Sequence, residues 1–338
     1  MQHFHYQHPF TLESGETLPE LTIAYHTYGT LKDAKDNVIW ICHALTANSN
    51  VEEWWPGMIG KGLLFDPQKY FIICANIIGS CYGSTGPLST NRDTGEPYFI
   101  DFPFITMRDV VNAHVLLRKS LGLDRVFLLV GGSIGGYQAM EWSIIEKHAV
   151  NNLLLLATSP AESAWGIAVH TAQRMAIEAD GTWLKRTAGA AKNGLKAARA
   201  IGMLTYRNYE ILVQKQKESD VNKTDGFKAA SYMKYQGEKL STRFNAYSYW
   251  TLTKTMDSHN IARARADDTA TVLSTMDHNT MIIGVSSDIL CPVQEQKFMA
   301  EHMPNAQFEE IHSAYGHDGF LVETERISAI VDDWLKEN

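Results

Sequence analysis

The chain has 338 residues, 45% of them apolar and 20% charged, with a formal net charge of −8. That length and apolar content fit a large globular protein rather than a disordered one, and the acidic balance argues against sequence-independent nucleic-acid binding as the main role while leaving room for a local basic pocket for a phosphorylated cofactor. Four cysteines without a CxxC pair exclude a disulfide framework or a cysteine zinc site, so no metal is expected.

In chain order, the N-terminal "MQHFHYQHPFTLESGE" lacks a basic region followed by an apolar stretch, so no secretory signal is expected. No apolar run approaches the ~20 residues a membrane crossing needs, and a cytoplasmic protein is the plain expectation. "FTLESGETLPELTIAYHTYG" alternates and carries a Ser-Gly turn, which predicts an antiparallel hairpin at a sheet edge. "NVIWIC", "YFIICAN", "RVFLLV", "NLLLLA" and "TMIIGV" are continuous apolar runs, as expected of parallel strands covered on both faces. Helical patterns such as "MRDVVNAHVLLRKSLG" lie between them, which predicts an α/β fold. Between 161 and 265 no strand is convincing, and the stretch reads as several helices. The expected organisation is a core of residues 1–160 and 266–338, with 161–265 inserted as a helical lid.

"VGGSIGGYQAMEW", residues 130–142, sets four glycines around Ser133. Such a turn needs either unusual dihedrals or room close to the backbone. Gly131-Gly132-Ser133-Ile134-Gly135 matches G-x-S-x-G between an apolar strand and a helical pattern, the context of a nucleophile elbow. A serine hydroxyl needs a base beside it, oriented by an acid. Among thirteen histidines, His317 stands in a Gly-flanked loop after "AQFEEIH", and Asp288 follows the strand "TMIIGV". The order Ser133, Asp288, His317 is that of α/β-hydrolase folds, where loops at the carboxyl ends of parallel strands converge. An oxyanion needs two N–H donors. The amide of Ile134 is one, and Leu45 in "ICHALTANSN" is the choice for the other, with His43 shaping that loop.

"CHALT", "NIIGSCYGSTGP", "GGSIGGYQAMEW", "ARAIGMLTYRN", "DSHNIARAR" and "YGHDGFLVE" together resemble the homoserine O-acetyltransferases of methionine biosynthesis, from about residue 20 to 325. The resemblance implies an α/β-hydrolase fold: a mostly parallel sheet with helices on both faces and an inserted helical lid. It implies ping-pong acetyl transfer from acetyl-CoA, a co-substrate rather than a bound cofactor, to L-homoserine. Ser133 would be the nucleophile, His317 the base and Asp288 its orienting acid. Arg199, Tyr206 and Asp318 would grip the amino acid, and a homodimer formed through the lid helices is implied. Read by itself, Arg199 is a solvated helix residue, on one face with Tyr206 if the helix survives Gly202. Nothing in the spacing singles out Arg263 and Arg265 for coenzyme phosphates, and Trp54 and Trp55 read equally as packing. After "HALT" this chain has Ala47, Asn48 and Asn50, where the family pattern is commonly Gly-Asp followed shortly by His. That departure leaves open a succinyl donor, serine as acceptor, or water in an esterase or thioesterase.

Overall fold

The computed structural model describes residues 1–337. Among these residues ten strands are present: β1 (Gln2–Tyr6), β2 (Phe10–Thr11), β3 (Thr17–Leu18), β4 (Leu21–Tyr28), β5 (Val38–Cys42), β6 (Phe71–Ala75), β7 (Val126–Gly132), β8 (Val150–Leu156), β9 (Asn279–Val285) and β10 (Ala306–Ile311). Eight form one sheet in the order β1-β4-β6-β5-β7-β8-β9-β10. Every pair from β6 to β10 is parallel, while β1 and β4 are antiparallel at one edge. This is an α/β-hydrolase architecture.

The apolar runs form strands because both sheet faces are buried. Trp40, Ile73, Leu129, Leu153 and Ile282 point into one core, and Ile39, Ile72, Leu128, Leu154 and Ile283 into the other. Adjacent residues alternate between the two cores, as the period of two requires.

Before β9 the helices are α1 (Val51–Trp54), α2 (Met107–Ser120), α3 (Ile134–Ile145), α4 (Ala164–Glu178), α5 (Lys192–Tyr206), α6 (Tyr209–Gln216), α7 (Lys228–Ser241), α8 (Ala246–Asp257) and α9 (Thr269–Leu273). After it come α10 (Val293–His302), α11 (Gly319–Val322) and α12 (Thr324–Glu337). Thr106 and Asp109 form a reciprocal capping box that starts α2. Helices α4 to α8 leave the sheet after β8 and return before β9. The neck of this excursion is zipped by the Ala161–Asn260 bridge, with Glu162 N donating to His259 O (2.8 Å) and Ile261 N to Pro160 O (3.0 Å).

The predicted edge hairpin is realised differently. Phe10 pairs with Leu18 and Thr11 with Thr17 in a separate two-stranded sheet, while β4 joins the main sheet. The edge strand is β1, in a segment whose sequence carried no strand expectation. Its exposed, histidine-rich face lacks the apolar run that marks the buried strands. No helix among the described residues is long and apolar enough to cross a membrane.

Candidate active site

The chain runs from β5 to β6 on one side and then crosses to β7 on the other, so a crevice opens at the carboxyl ends of β5 and β7. Cys42 pairs with Gly131 in register. The loop after β5, which carries His43 to Asn50, therefore lies beside the turn after β7, which carries Ser133.

Ser133 has φ 57° and ψ −128°, a region that L-residues rarely occupy. Four bonds hold it there: Ser133 N donates to Leu156 O (3.0 Å), and its own carbonyl accepts from Gly136 N (2.8 Å), Thr158 Oγ1 (2.9 Å) and, more weakly, Tyr137 N (3.4 Å). The positive φ falls on the serine, and none of the four flanking glycines shares it. They are needed for room. A Cβ on Gly131 would lie 2.1 Å from Gly135 O, and one on Gly135 would lie 2.2 Å from Cys42 O. The elbow thus packs backbone against backbone, and α3 begins directly at Ile134. As the first helical residue, Ile134 has no acceptor for its amide within the helix.

Asp288 follows β9 with a fixed carboxylate. Its Oδ1 accepts from the amides of Leu290 (2.8 Å) and Cys291 (3.0 Å), and its Oδ2 lies 2.6 Å from Nδ1 of His317. His317 sits in a short 3₁₀ turn after β10. Ser287 ties the two loops together: its hydroxyl donates to Ser313 O (2.5 Å) and accepts from Gly316 N (3.0 Å). Burial alone would lower the His317 pKa, but the Asp288 charge and hydrogen bond outweigh it and raise the value. His317 Nε2 is buried without a hydrogen-bond partner among the described residues. The Cys291 thiol comes within 4.8 Å of the ligand atoms of Asp288 and His317, and burial keeps it protonated.

Ser133 and His317 face one cavity of about 400 Å³, shared with Leu45, Arg199, Tyr206 and Asp318. Leu45 is itself largely buried, in the loop that His43 shapes. His43 is fully buried; its Nδ1 lies 2.9 Å from Ala44 O, and its Nε2 accepts from Ile77 N at 3.2 Å. Burial takes its pKa to about 4, so it is neutral and structural.

Helix α5 runs unbroken through Gly202. The Arg199 guanidinium lies 5.3 Å from the Tyr206 ring centroid, and that ring lies 6.0 Å from the imidazole of His317. The reading of Arg199 as a solvated helix residue is therefore corrected: it is half-buried, lines the cavity, and its Nε has no partner among the described residues. Its charge lies over an aromatic face, a contact that sequence spacing alone does not reveal. Asp318 pairs with Arg207 at 3.2 Å. Burial raises the Asp318 pKa, against the pull of Arg207, His317 and Arg199.

Several other residues are resolved by position. Trp54 lines the cavity and donates to Asn48 O (2.9 Å), whereas Trp55 is core and donates to Phe320 O (3.2 Å). Arg263 is held bidentately by Glu13, and Arg265 by Glu141 at 2.7 Å, so neither reaches the cavity. Ala47 does not have positive φ, so its Cβ is accommodated without strain. Asn48 and Asn50 both donate to Glu53, at 2.9 and 3.0 Å. Sequence reasoning missed Arg207, Lys239 and Arg243. The last two line the cavity from the end of α7, and no motif marks them.

A profile of the α/β-hydrolase fold matches residues 37–324. A homoserine O-acetyltransferase of Cyclobacterium marinum is 47% identical over 335 residues, covering 99% of this chain and 95% of that relative. One of Chlorobium luteolum is 43% identical, covering 99% and 94%. The crystal structure of homoserine O-acetyltransferase from Bacillus anthracis superposes with a TM-score of 0.93 at 25% identity, covering 99% of this chain and 96% of that one. With its elbow serine and its Asp–His pair on one cavity, this chain belongs to the homoserine O-acetyltransferase family of α/β-hydrolase-fold enzymes.

Proposed function

We propose that this enzyme transfers an acetyl group from acetyl-CoA to the hydroxyl of L-homoserine, a step of methionine biosynthesis, through an acetyl-Ser133 intermediate. The observation that carries this reading is the unpartnered Nε2 of His317, held by Asp288 through Nδ1 on the cavity that Ser133 also lines. Nε2 is thereby the free proton acceptor. The names of the 47% and 43% identical relatives support the acetyl group and homoserine as the pair exchanged.

In the first half-reaction Ser133 Oγ attacks the thioester carbonyl as its proton passes to His317 Nε2. The oxyanion is received by the amides of Leu45 and Ile134. The C–S bond then breaks, and His317 returns the proton to the departing sulfur. In the second, the homoserine hydroxyl gives its proton to His317 and attacks the acetyl carbon, and Ser133 recovers its proton on release. Arg199 takes the amino-acid carboxylate and Asp318 its ammonium, with Tyr206 holding Arg199 in place. The helical segment 161–265 serves as the cover that excludes water, which transfer requires if it is to outrun hydrolysis.

Coenzyme A release, followed with a thiol reagent from acetyl-CoA and succinyl-CoA with and without L-homoserine, tests this reading. Rapid release from acetyl-CoA only when homoserine is present is the expected result. Release that ignores homoserine, or that needs the succinyl donor, overturns it.

A further inference from the structure

Three cationic side chains line the cavity that holds Ser133 and His317: Arg199, Lys239 and Arg243. Among the described residues, none of the three pairs with a carboxylate. Among the described residues elsewhere in this acidic chain, most arginines are engaged by Glu or Asp, as Arg108, Arg118, Arg174, Arg263 and Arg265 are, with Arg125 and Arg326 the exceptions. Of the two carboxylates of the cavity wall, Asp318 is paired with Arg207, while Glu53 is held by the neutral amides of Asn48 and Asn50 and keeps its charge. Three cations thus face one uncompensated carboxylate, and the walls of this cavity carry an excess of positive charge.

The three cations occupy different places. Arg199 is half-buried beside Tyr206, next to His317. Lys239 and Arg243 are exposed, on the last turn of α7 and just beyond it. Arg243 spans from the helical segment to the sheet domain, donating to the carbonyl of Thr46 and the hydroxyl of Tyr82. Its guanidinium is thereby fixed over the loop that carries Leu45.

The acceptor amino acid has one carboxylate, for which Arg199 suffices, and an acetyl group has no charge. Two further cations at the rim call for a polyanion. We propose that Lys239 and Arg243 form a phosphate subsite that receives the phosphorylated end of the acyl-thioester donor while its acyl end reaches Ser133. The proposal rests on the transferase reading above. Arg243 supplies a preorganised fork suited to phosphate oxygens, and Lys239 a mobile point charge.

The test compares acetyl-CoA with S-acetylpantetheine, which carries the same thioester without phosphates. For Lys239→Ala the KM for acetyl-CoA is expected to rise about fivefold, and further for Lys239→Glu, while the KM for S-acetylpantetheine changes by less than about twofold. Arg243→Ala should show the same donor-selective rise, partly rescued by Arg243→Lys. Equal shifts for both donors, or for neither, overturn the subsite while leaving the transferase reading intact. Calorimetric titration of coenzyme A itself into the wild type and Lys239→Glu separates the two ideas. Weaker binding by the variant upholds the subsite even if turnover fails, and equal binding rejects it.

Discussion

Replacing Ser133 by glycine should make the protein more stable as it removes the proposed nucleophile. Ser133 is held at φ 57°, ψ −128° by hydrogen bonds from and to β8, the following Thr158 and α3. A side-chain-bearing residue there stores about 1–3 kcal/mol, against the ~0.5–1 kcal/mol that glycine costs through its freer unfolded chain. Among the described residues the Ser133 hydroxyl has no hydrogen-bond partner, so its removal strands none of them. At the mid-points of these ranges the net gain is about 1.2 kcal/mol. With unfolding entropy of ~2.1 cal/mol/K per residue, a chain of 338 residues has about 0.7 kcal/mol/K, and Tm rises by about 2 °C. Ser133→Ala is the control, because alanine keeps the Cβ and with it the strain. Differential scanning calorimetry of the three proteins measures the difference. A glycine variant no more stable than the alanine variant would refute the claim that the elbow stores strain at Ser133.

Two further expectations concern the same elbow and its base. For Gly135→Ala, the new Cβ would lie 2.2 Å from Cys42 O and 3.0 Å from Cys42 C, backbone atoms that cannot swing aside. A loss of about 3 kcal/mol, or ~4 °C in Tm, is expected. Gly181→Ala, with no atom within 4 Å of its Cβ, should show no loss, and similar melting of the two variants would reject the close-approach account. In the proposed mechanism His317 must be neutral to act as the base, so kcat/KM should fall as pH drops through its raised pKa, above the ordinary 6.5. Asp288→Asn leaves burial, which lowers the value, and removes the charge that raises it. The acid limb should then move to lower pH while kcat drops by at least about a hundredfold. An unmoved limb would assign it to another group. The stability linkage has the opposite sense: the protonated pair stabilises the fold below the unfolded pKa, and this contribution is lost as pH rises through the folded value.

Much of the chemistry is local in sequence. A G-x-S-x-G turn between an apolar strand and a helix marks Ser133, and Asp288 and His317 each stand just past a strand, so chain order and parallel-strand logic place them at one sheet edge. Continuous apolar runs predicted the central strands because a strand buried on both faces has no solvent side to alternate with. The N-terminal edge escaped for the converse reason. Gln2–Tyr6 buries little, and its pairing with β4 depends on backbone bonds that leave no apolar signature.

What only the tertiary structure decided are the relations between segments far apart in the chain. Ser133, rather than its glycines, carries the positive φ, in a turn packed closely by β5 and α3 and bonded to β8 through Leu156 O. Arg199 turns inward because the Tyr206 ring offers it a face, and Asp318 is steadied by Arg207. Lys239 and Arg243 reach the cavity because the excursion between β8 and β9 folds back over the loop after β5, 197 residues from Thr46 to Arg243. Periodicity and motif report on neighbours within a turn or a strand. A cation's surroundings are set by whichever chain the fold brings against it.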